Sequence, residues 1–183
     1  MLANRIIGLA RGNEDTFDSN TISSYTQSSI SPATWSISGG ELTASGGNQS
    51  VLIRNGTSYS NVKIEADINK AYDAGLVVRF IDINNYYVLA LCDDSGQGPS
   101  TNLRFRKWVG GAETTIASAN VTWPTGTPKT IRFEASGTSF SASVDGVQVI
   151  SASDSSHAGP GGVGLRNHAG GSGAVLQAFR WDV

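Results

Sequence analysis

The chain has a single cysteine, Cys92, a single methionine and five prolines among 183 residues. One thiol can close no internal disulfide, so the fold has to stand on its apolar core. Cys92 ends the apolar stretch Val88-Leu-Ala-Leu-Cys92 with no basic residue beside it in sequence to depress its pKa, which points to a buried, inert thiol. Charge is scarce as well. Thirteen Lys and Arg stand against fifteen Asp and Glu, a net charge of -2. Neutralising phosphates requires a surplus of Lys and Arg on one face, so nucleic acid is excluded as a partner. Long apolar runs are missing: Gly75–Val78 and Val88–Cys92 fall far short of the roughly 20 residues of a membrane span. Helical periodicity never lasts beyond a turn or two. Residues 1–10 hold one Arg and a short apolar patch, followed by Arg11, Glu14 and Asp15 without a cleavage region. No signal peptide is read there, and synthesis in the cytoplasm is the expectation.

Small and polar residues fill the space instead. Ser, Thr and Gly make up 60 of the 183 residues, spread along the chain rather than gathered in a linker. Apolar and polar residues alternate in segment after segment. Val62, Ile64, Ala66 and Ile68 are interleaved with Lys63, Glu65 and Asp67; Ile131, Phe133 and Ala135 with Arg132 and Glu134; Phe140, Ala142 and Val144 with Ser141 and Ser143. Period two means half-buried strands. Turn signals divide the runs at Gly39-Gly40, Gly46-Gly47, Asn55-Gly56, Asn84-Asn85, Gly110-Gly111, Gly137, Asp145-Gly146 and Gly161-Gly162. Asp145-Gly146 is the clearest two-residue hairpin, because both positions tolerate positive φ. About a dozen short strands have to close two sheets face to face, so an all-β, antiparallel two-sheet jelly-roll sandwich is expected. Residues 1–13 lack the alternation and read as an N-terminal arm; residues 14–183 form the domain.

Four stretches resemble the concanavalin A-like lectin/glucanase superfamily in its laminin G-like branch. Asp15-Thr-Phe-Asp18 looks like its opening strand and Tyr59–Asp67 like its first long strand. Gly75–Asp82 followed by Asn85-Tyr-Tyr-Val88 looks like the paired central strands. Phe140–Val144, Gly162-Val-Gly-Leu165 and Phe179-Arg-Trp-Asp-Val183 look like the last strands, the terminal one returning beside the first. The resemblance covers residues 15–183 and speaks for fold, since this fold hosts lectins, adhesion modules and glycosidases alike.

Glycosidases need two carboxylates flanking the scissile bond. Glucanases of the superfamily carry theirs on one strand as Glu-x-Asp-x-(x)-Glu. Glu65-Ala-Asp67 begins that pattern, but Ile68-Asn-Lys-Ala71 supplies no second Glu, so exposed strand carboxylates without a catalytic role are expected. Gly159-Pro-Gly-Gly-Val-Gly164 matches a dinucleotide loop only in its glycines, because a strand rather than a helix follows. Ser172 lacks the setting of a nucleophile elbow. His157 and His168 have no third ligand at metal-site spacing, and no metal or cofactor is assigned. The resemblance leaves a structural calcium open at Asp15, Asp18 and Asp182, or at Asp93-Asp94, where hard oxygens would suit it.

The suggestive surface is one strand on which Arg104, Arg106 and Trp108 alternate with Leu103 and Phe105 and so share an outer, solvent-facing side. An indole stacks on a sugar ring while guanidinium groups donate paired hydrogen bonds. The plainer reading of the same strand is a surface strand with a partly buried Trp. On the neighbouring strands that the resemblance implies, Arg79, Asp82, Asn85 and Tyr86 would extend the patch. Trp35, Trp123 and Trp181 are assigned to the core or its rim. These observations favour a non-catalytic, lectin-like module that binds a glycan or a protein surface. Its setting would be a homo-oligomer or larger assembly reached through residues 1–13, such as a phage virion that displays it outside the cell. The alternatives are a glycan-processing enzyme of the same superfamily and an architectural decoration protein without ligand.

Overall fold

The computed structural model describes residues 13–70, 73–92, 102–121, 128–168 and 175–183. The first half of the chain forms β1 (Asn13–Asp15), β2 (Tyr25–Ser31), β3 (Thr34–Ser38), β4 (Glu41–Ser45), β5 (Asn48–Arg54), β6 (Val62–Lys70), β7 (Ala74–Asp82) and β8 (Asn85–Cys92). The second half forms β9 (Asn102–Val109), β10 (Ala112–Asn120), β11 (Lys129–Ser136), β12 (Ser139–Val144), β13 (Val147–Ser153), β14 (Gly162–Asn167) and β15 (Val175–Asp182). Ile22–Ser24 make one turn of 3-10 helix, and no helix among the described residues is long and apolar enough to cross a membrane.

Two sheets pack face to face. Sheet I runs β13-β12-β11-β6-β15-β4-β3 with β1 added to β15, and sheet II runs β10-β9-β8-β7-β14-β5-β2. Every pairing in them is antiparallel. The terminal strand does return beside the first, with Asp15 opposite Phe179. The Asp145-Gly146 hairpin forms as expected: both residues take positive φ, 49° and 82°, and Val144 pairs with Val147 across the turn.

The alternating apolar positions all turn inward. Ile64, Ala66 and Ile68 of sheet I meet Leu76, Leu89 and Leu103 of sheet II in one continuous core. At one end Phe105 (β9) and Tyr87 (β8) interlock with Phe133 (β11) and Phe140 (β12), ring centroids 4.7–5.8 Å apart. Each such pair adds about 0.5–1.5 kcal/mol beyond area burial. The Tyr87 hydroxyl and Lys107 Nζ both donate to Asp154, each at 2.6 Å, tying the end of β13 to sheet II. Burial alone would raise the Asp154 pKa, but these bonds and those from Ser156 outweigh it and hold the carboxyl well below the usual range.

The two outer faces differ in character. On sheet I, Arg132 donates through Nε and Nη2 to Glu65 Oε2 at 3.0 and 2.8 Å. Arg180 reaches Glu14, Glu65 and Asp67 at 2.8, 3.2 and 2.5 Å. Glu65 is therefore not the exposed carboxylate read from the sequence, since two guanidinium groups cover it to 3% exposure. The outer face of sheet II carries a second apolar cluster, including Val51, Val77, Tyr86, Val88 and Trp108. Trp35 packs against the main core and Trp181 lies within it, while Trp123 falls outside the described residues.

Candidate functional site

The register of sheet II sets Tyr86 of β8 directly opposite Trp108 of β9 on the outer face. Their rings stack in parallel, centroids 4.8 Å apart. From β14, the Arg166 guanidinium lies over the Trp108 ring, 4.9 Å from its centroid. The sequence gives that long side chain its room: the row running from Arg166 to Arg104 passes through Gly75 and Ala90, the smallest residues available. Gly75 admits no substitute there, because a Cβ would sit 1.9 Å from the Leu89 carbonyl oxygen.

Asp73, in the loop entering β7, gathers the charges. Arg166 Nη1 donates to its Oδ1 at 3.0 Å and Arg106 Nη1 at 3.3 Å, and the Cys92 thiol donates to the same oxygen at 3.3 Å. Burial would raise the Asp73 pKa, but Arg166 and then Arg106 outweigh it and hold the carboxyl below its ordinary value. Burial pushes the Cys92 thiol up to about 12, with Asp73 adding to the effect and Arg106 opposing it. An inert thiol follows, although Arg106 Nη2 stands only 2.7 Å from its sulfur. His168 accepts through Nδ1 from the Gln49 backbone N–H at 3.2 Å. Burial and the Arg166 charge lower its pKa, which keeps the imidazole neutral. Asp73 and Gln49, at the margins of this face, both hold left-handed φ of 54° and 44°. Strain of that kind tends to collect at functional sites.

Several polar atoms here are buried and unpaired: Tyr86 Oη, Trp108 Nε1, Gln49 Oε1, Arg106 Nε, and Arg166 Nε and Nη2. Tyr86 Oη lies near enough to Arg166 for the charge to moderate a pKa that burial raises to about 12. Arg166 is also its hydrogen-bonding neighbour, and that contact lowers the same pKa. Arg106 Nε is similarly an ion-pair neighbour of Glu113, 3.4 Å away, without a hydrogen bond. At the rim, Glu113 is 41% and Asp73 19% exposed in their side chains, and Arg104 and His168 are half-buried.

Arg104, Arg106, Trp108 and Tyr86 thus share one face, as alternation requires. Open exposure does not follow, for Trp108 and Tyr86 are 0% exposed and Arg106 5%. Arg79 is elsewhere. A register shift between Val78 and Asp82, with Arg79 at φ 50°, turns its side chain inward. There it donates to the Ser60 and His157 carbonyls at 2.9 Å each and to the Gly137 carbonyl, over the Phe140 ring. Asp82 and Asn85 close the β7–β8 turn by bonding each other at 3.0 Å, and Asn85 Oδ1 accepts from Gly110 N–H. The sequence reading missed Asp73, Glu113, His168 and Arg166. Only Arg166 had a visible signal, the alternation of Gly162, Gly164 and Arg166 against Val163 and Leu165.

Among the described residues no three His, Cys, Asp or Glu side chains converge on one point. Asp15 accepts from Phe17 N–H, Thr21 and Tyr25, while Asp18 and Asp182 accept from Thr16 and Val183. These three aspartates do not assemble a calcium-ligand set. Asp93 and Asp94 lie outside the described residues.

The family model of a 3-keto-alpha-glucoside-1,2-lyase-like domain matches residues 12–180. No curated protein sequence matches the chain significantly. Among solved structures, carbohydrate-binding module CBM66 from Bacillus subtilis is similar at 22% identity and a TM-score of 0.74, over 87% of this chain and 96% of that one. A Bacillus subtilis protein of unknown function with a galectin-like fold aligns at 13% identity and a TM-score of 0.73, covering 92% and 94% of the two chains. A xylan beta-1,4-xylosidase from Bacillus halodurans aligns at 14% and 0.66 over 95% of this chain, which spans 40% of the xylosidase. The family match gives the chain's family, and the structural likenesses show the fold, a two-sheet jelly roll.

Proposed function

We propose, for a chain that belongs to the 3-keto-alpha-glucoside-1,2-lyase-like domain family, that it is a non-catalytic carbohydrate-binding module working through the outer face of sheet II. One observation carries the reading. Buried polar atoms without a well-formed hydrogen bond are rare, yet Tyr86, Trp108, Arg106 and Arg166, which meet on this face, all carry one. The part-exposed polar rim around them, Arg104, Asp73, Glu113 and His168, offers a polyhydroxylated ring hydrogen-bonding groups. The likeness to the Bacillus subtilis carbohydrate-binding module agrees with it. Against catalysis stand the carboxylates themselves. Glu65 and Asp67 are locked by Arg132 and Arg180 on the other sheet, and Asp73 is clamped between two arginines. Neither arrangement leaves an acid and a base flanking a bond.

A glycan panel titrated against the wild type and Arg104→Ala tests the site. Arg104 is half-buried on the rim, so its loss is expected to weaken binding by about 1.5–3 kcal/mol, the range for a hydrogen bond to a charged group, measured at a temperature where both proteins are folded. Undiminished binding by the variant would move the site elsewhere. A second reading, sugar elimination by a lyase, is favoured by the family's lyase-like character and by the His168 imidazole, whose pKa is lowered. Incubating the protein with 3-keto-α-glucosides in the same experiment is expected to release nothing; release that disappears in His168→Gln would establish the lyase.

The finer placement in the laminin G-like branch draws support from the pairing of β15 with β1 and of β7 with β8. The setting we propose is a surface component of an assembly such as a phage virion, docked through residues 1–13. Its support is the apolar pattern Leu2, Ile6, Ile7 and Leu9, which would lose about 25 cal/mol for each Å² left in water. A chain starting at Asn13 retains all of β1 and is expected to keep its far-UV spectrum and melting behaviour but to lose assembly. Unfolding of that truncated chain would refute the docking role.

A further inference from the structure

The strand order of the two sheets ends in four edge strands, β10 and β2 in sheet II and β13 and β3 in sheet I. An edge presents a row of unpaired backbone N–H and C=O groups, which proteins blunt with charge, bulges, proline or brevity. Three of the four edges are blunted in this way. β10 carries Glu113 and a register shift between Thr115 and Ala117, β13 pairs with β12 through a shift between Ala142 and Ser143, and β3 is five residues long. β2 has none of these devices. Its seven residues, Tyr25-Thr-Gln-Ser-Ser-Ile-Ser31, include no charge and no proline, and its register with β5 runs without a shift. Ile30 stands on it 62% exposed.

The ladder with β5 fixes which backbone groups of β2 point outward. Asn55 N–H donates to the Ser24 carbonyl at 2.9 Å, one step before Tyr25 comes opposite Arg54. Continuing that alternation turns the N–H and C=O groups of Thr26, Ser28 and Ile30 toward β5 and those of Tyr25, Gln27, Ser29 and Ser31 away from the sheet. The four outward residues are spaced symmetrically about Ser28. A second β2 lying antiparallel, with a two-fold axis at Ser28, meets all of them. Tyr25 then faces the partner's Ser31 and Gln27 the partner's Ser29, in pairs that each exchange two hydrogen bonds. The side chains suit the same register. Thr26 comes opposite the partner's Ile30, a β-branched pair that covers the exposed apolar group, and no charge meets a like charge. The symmetric spacing makes the strand complementary to itself, as a two-fold contact requires.

We propose that the chain pairs with a second copy of itself through β2, joining two seven-stranded sheets II into one continuous antiparallel sheet. The axis stands perpendicular to the sheet, so the outer faces of both copies point the same way. The contact is separate from residues 1–13 and from the Tyr86–Trp108 face, and it does not rest on the carbohydrate-binding reading.

Sedimentation velocity of the full chain tests the pairing. The mass is expected to rise with concentration toward twice that of one chain; a monomer at roughly 1 mM, the weak end of the affinity scale, would overturn it. Ser28→Glu sets two like charges directly opposite across the axis and is expected to weaken the dimer roughly fivefold or more, with an unchanged circular dichroism spectrum. Ser28→Cys gives a reading that needs no loss of stability. The Cα atoms of a non-hydrogen-bonded pair lie about 4.5 Å apart, within disulfide reach, so oxidised glutathione is expected to cross-link two chains through residue 28. Thr26→Cys, which faces residue 30 of the other copy, is expected to stay uncross-linked, and the native Cys92 is buried. A dimer that keeps its affinity in Ser28→Glu, or that cross-links through Thr26→Cys and not through Ser28→Cys, would overturn the β2 pairing. A chain starting at Asn13 is expected to remain dimeric while losing any larger assembly. Loss of the dimer in that chain would assign self-association to residues 1–12 and overturn the proposal as well.

Discussion

Replacing Trp108 by alanine is expected to lower the unfolding free energy by about 3–5 kcal/mol, the range for truncating a large buried aromatic side chain. Trp108 is fully buried, with Tyr86 stacked on it at 4.8 Å and the Arg166 guanidinium 4.9 Å from its centroid. Its removal opens a cavity on a face that is otherwise closed, and it strips a buried cation of the ring beneath it. An indole exposed on the outer side of its strand, where alternation alone places it, would instead cost binding and leave the melting temperature unchanged. Urea denaturation of the variant decides between the two. A loss below about 1 kcal/mol, in the range of exposed-site substitutions, would mean that water already reaches the indole. Trp108→Phe, which keeps a ring under Arg166, is expected to recover much of the loss.

The fold was legible in the residues because each half-buried strand writes its two faces as period two. Val62, Ile64, Ala66 and Ile68 point inward without exception, and the positive-φ pair at Asp145-Gly146 pins the register of β12 and β13. The site was legible only as far as this rule reaches. Alternation assigned Tyr86, Arg104, Arg106 and Trp108 to one face, but it carries no information about what lies above that face. Alternation alone therefore reads the outer side of β9 as exposed, whereas Trp108 there is fully buried. Asp73 could not be found at all, since a loop residue follows no period, and its role comes from three strands delivering Arg106, Cys92 and Arg166 to one oxygen. Glu65 misled for a related reason. Its strand was read correctly, but the arginines that bury it come from β11 and β15, far away in sequence.

Arg79 marks the place where a bulge overrules the pattern, and its replacement by leucine is expected to cost about 3–6 kcal/mol. The guanidinium bridges the carbonyls of Ser60, Gly137 and His157, which belong to three separate connections around one end of the sandwich. A leucine would fill some of the volume but would leave up to three carbonyl oxygens without that donor, at about 1–3 kcal/mol for each buried acceptor. Arg79→Lys keeps a cation over the Phe140 ring but lacks the planar fork, so it is expected to fall between the wild type and the leucine variant. The decisive comparison is stability against affinity. Arg79 faces away from the Tyr86–Trp108 stack, so Arg79→Lys is expected to bind glycan as the wild type does at temperatures where both are folded. If Arg79→Lys unfolds at the wild-type temperature and yet loses glycan binding, then Arg79 contacts the ligand as the strand pattern first suggested.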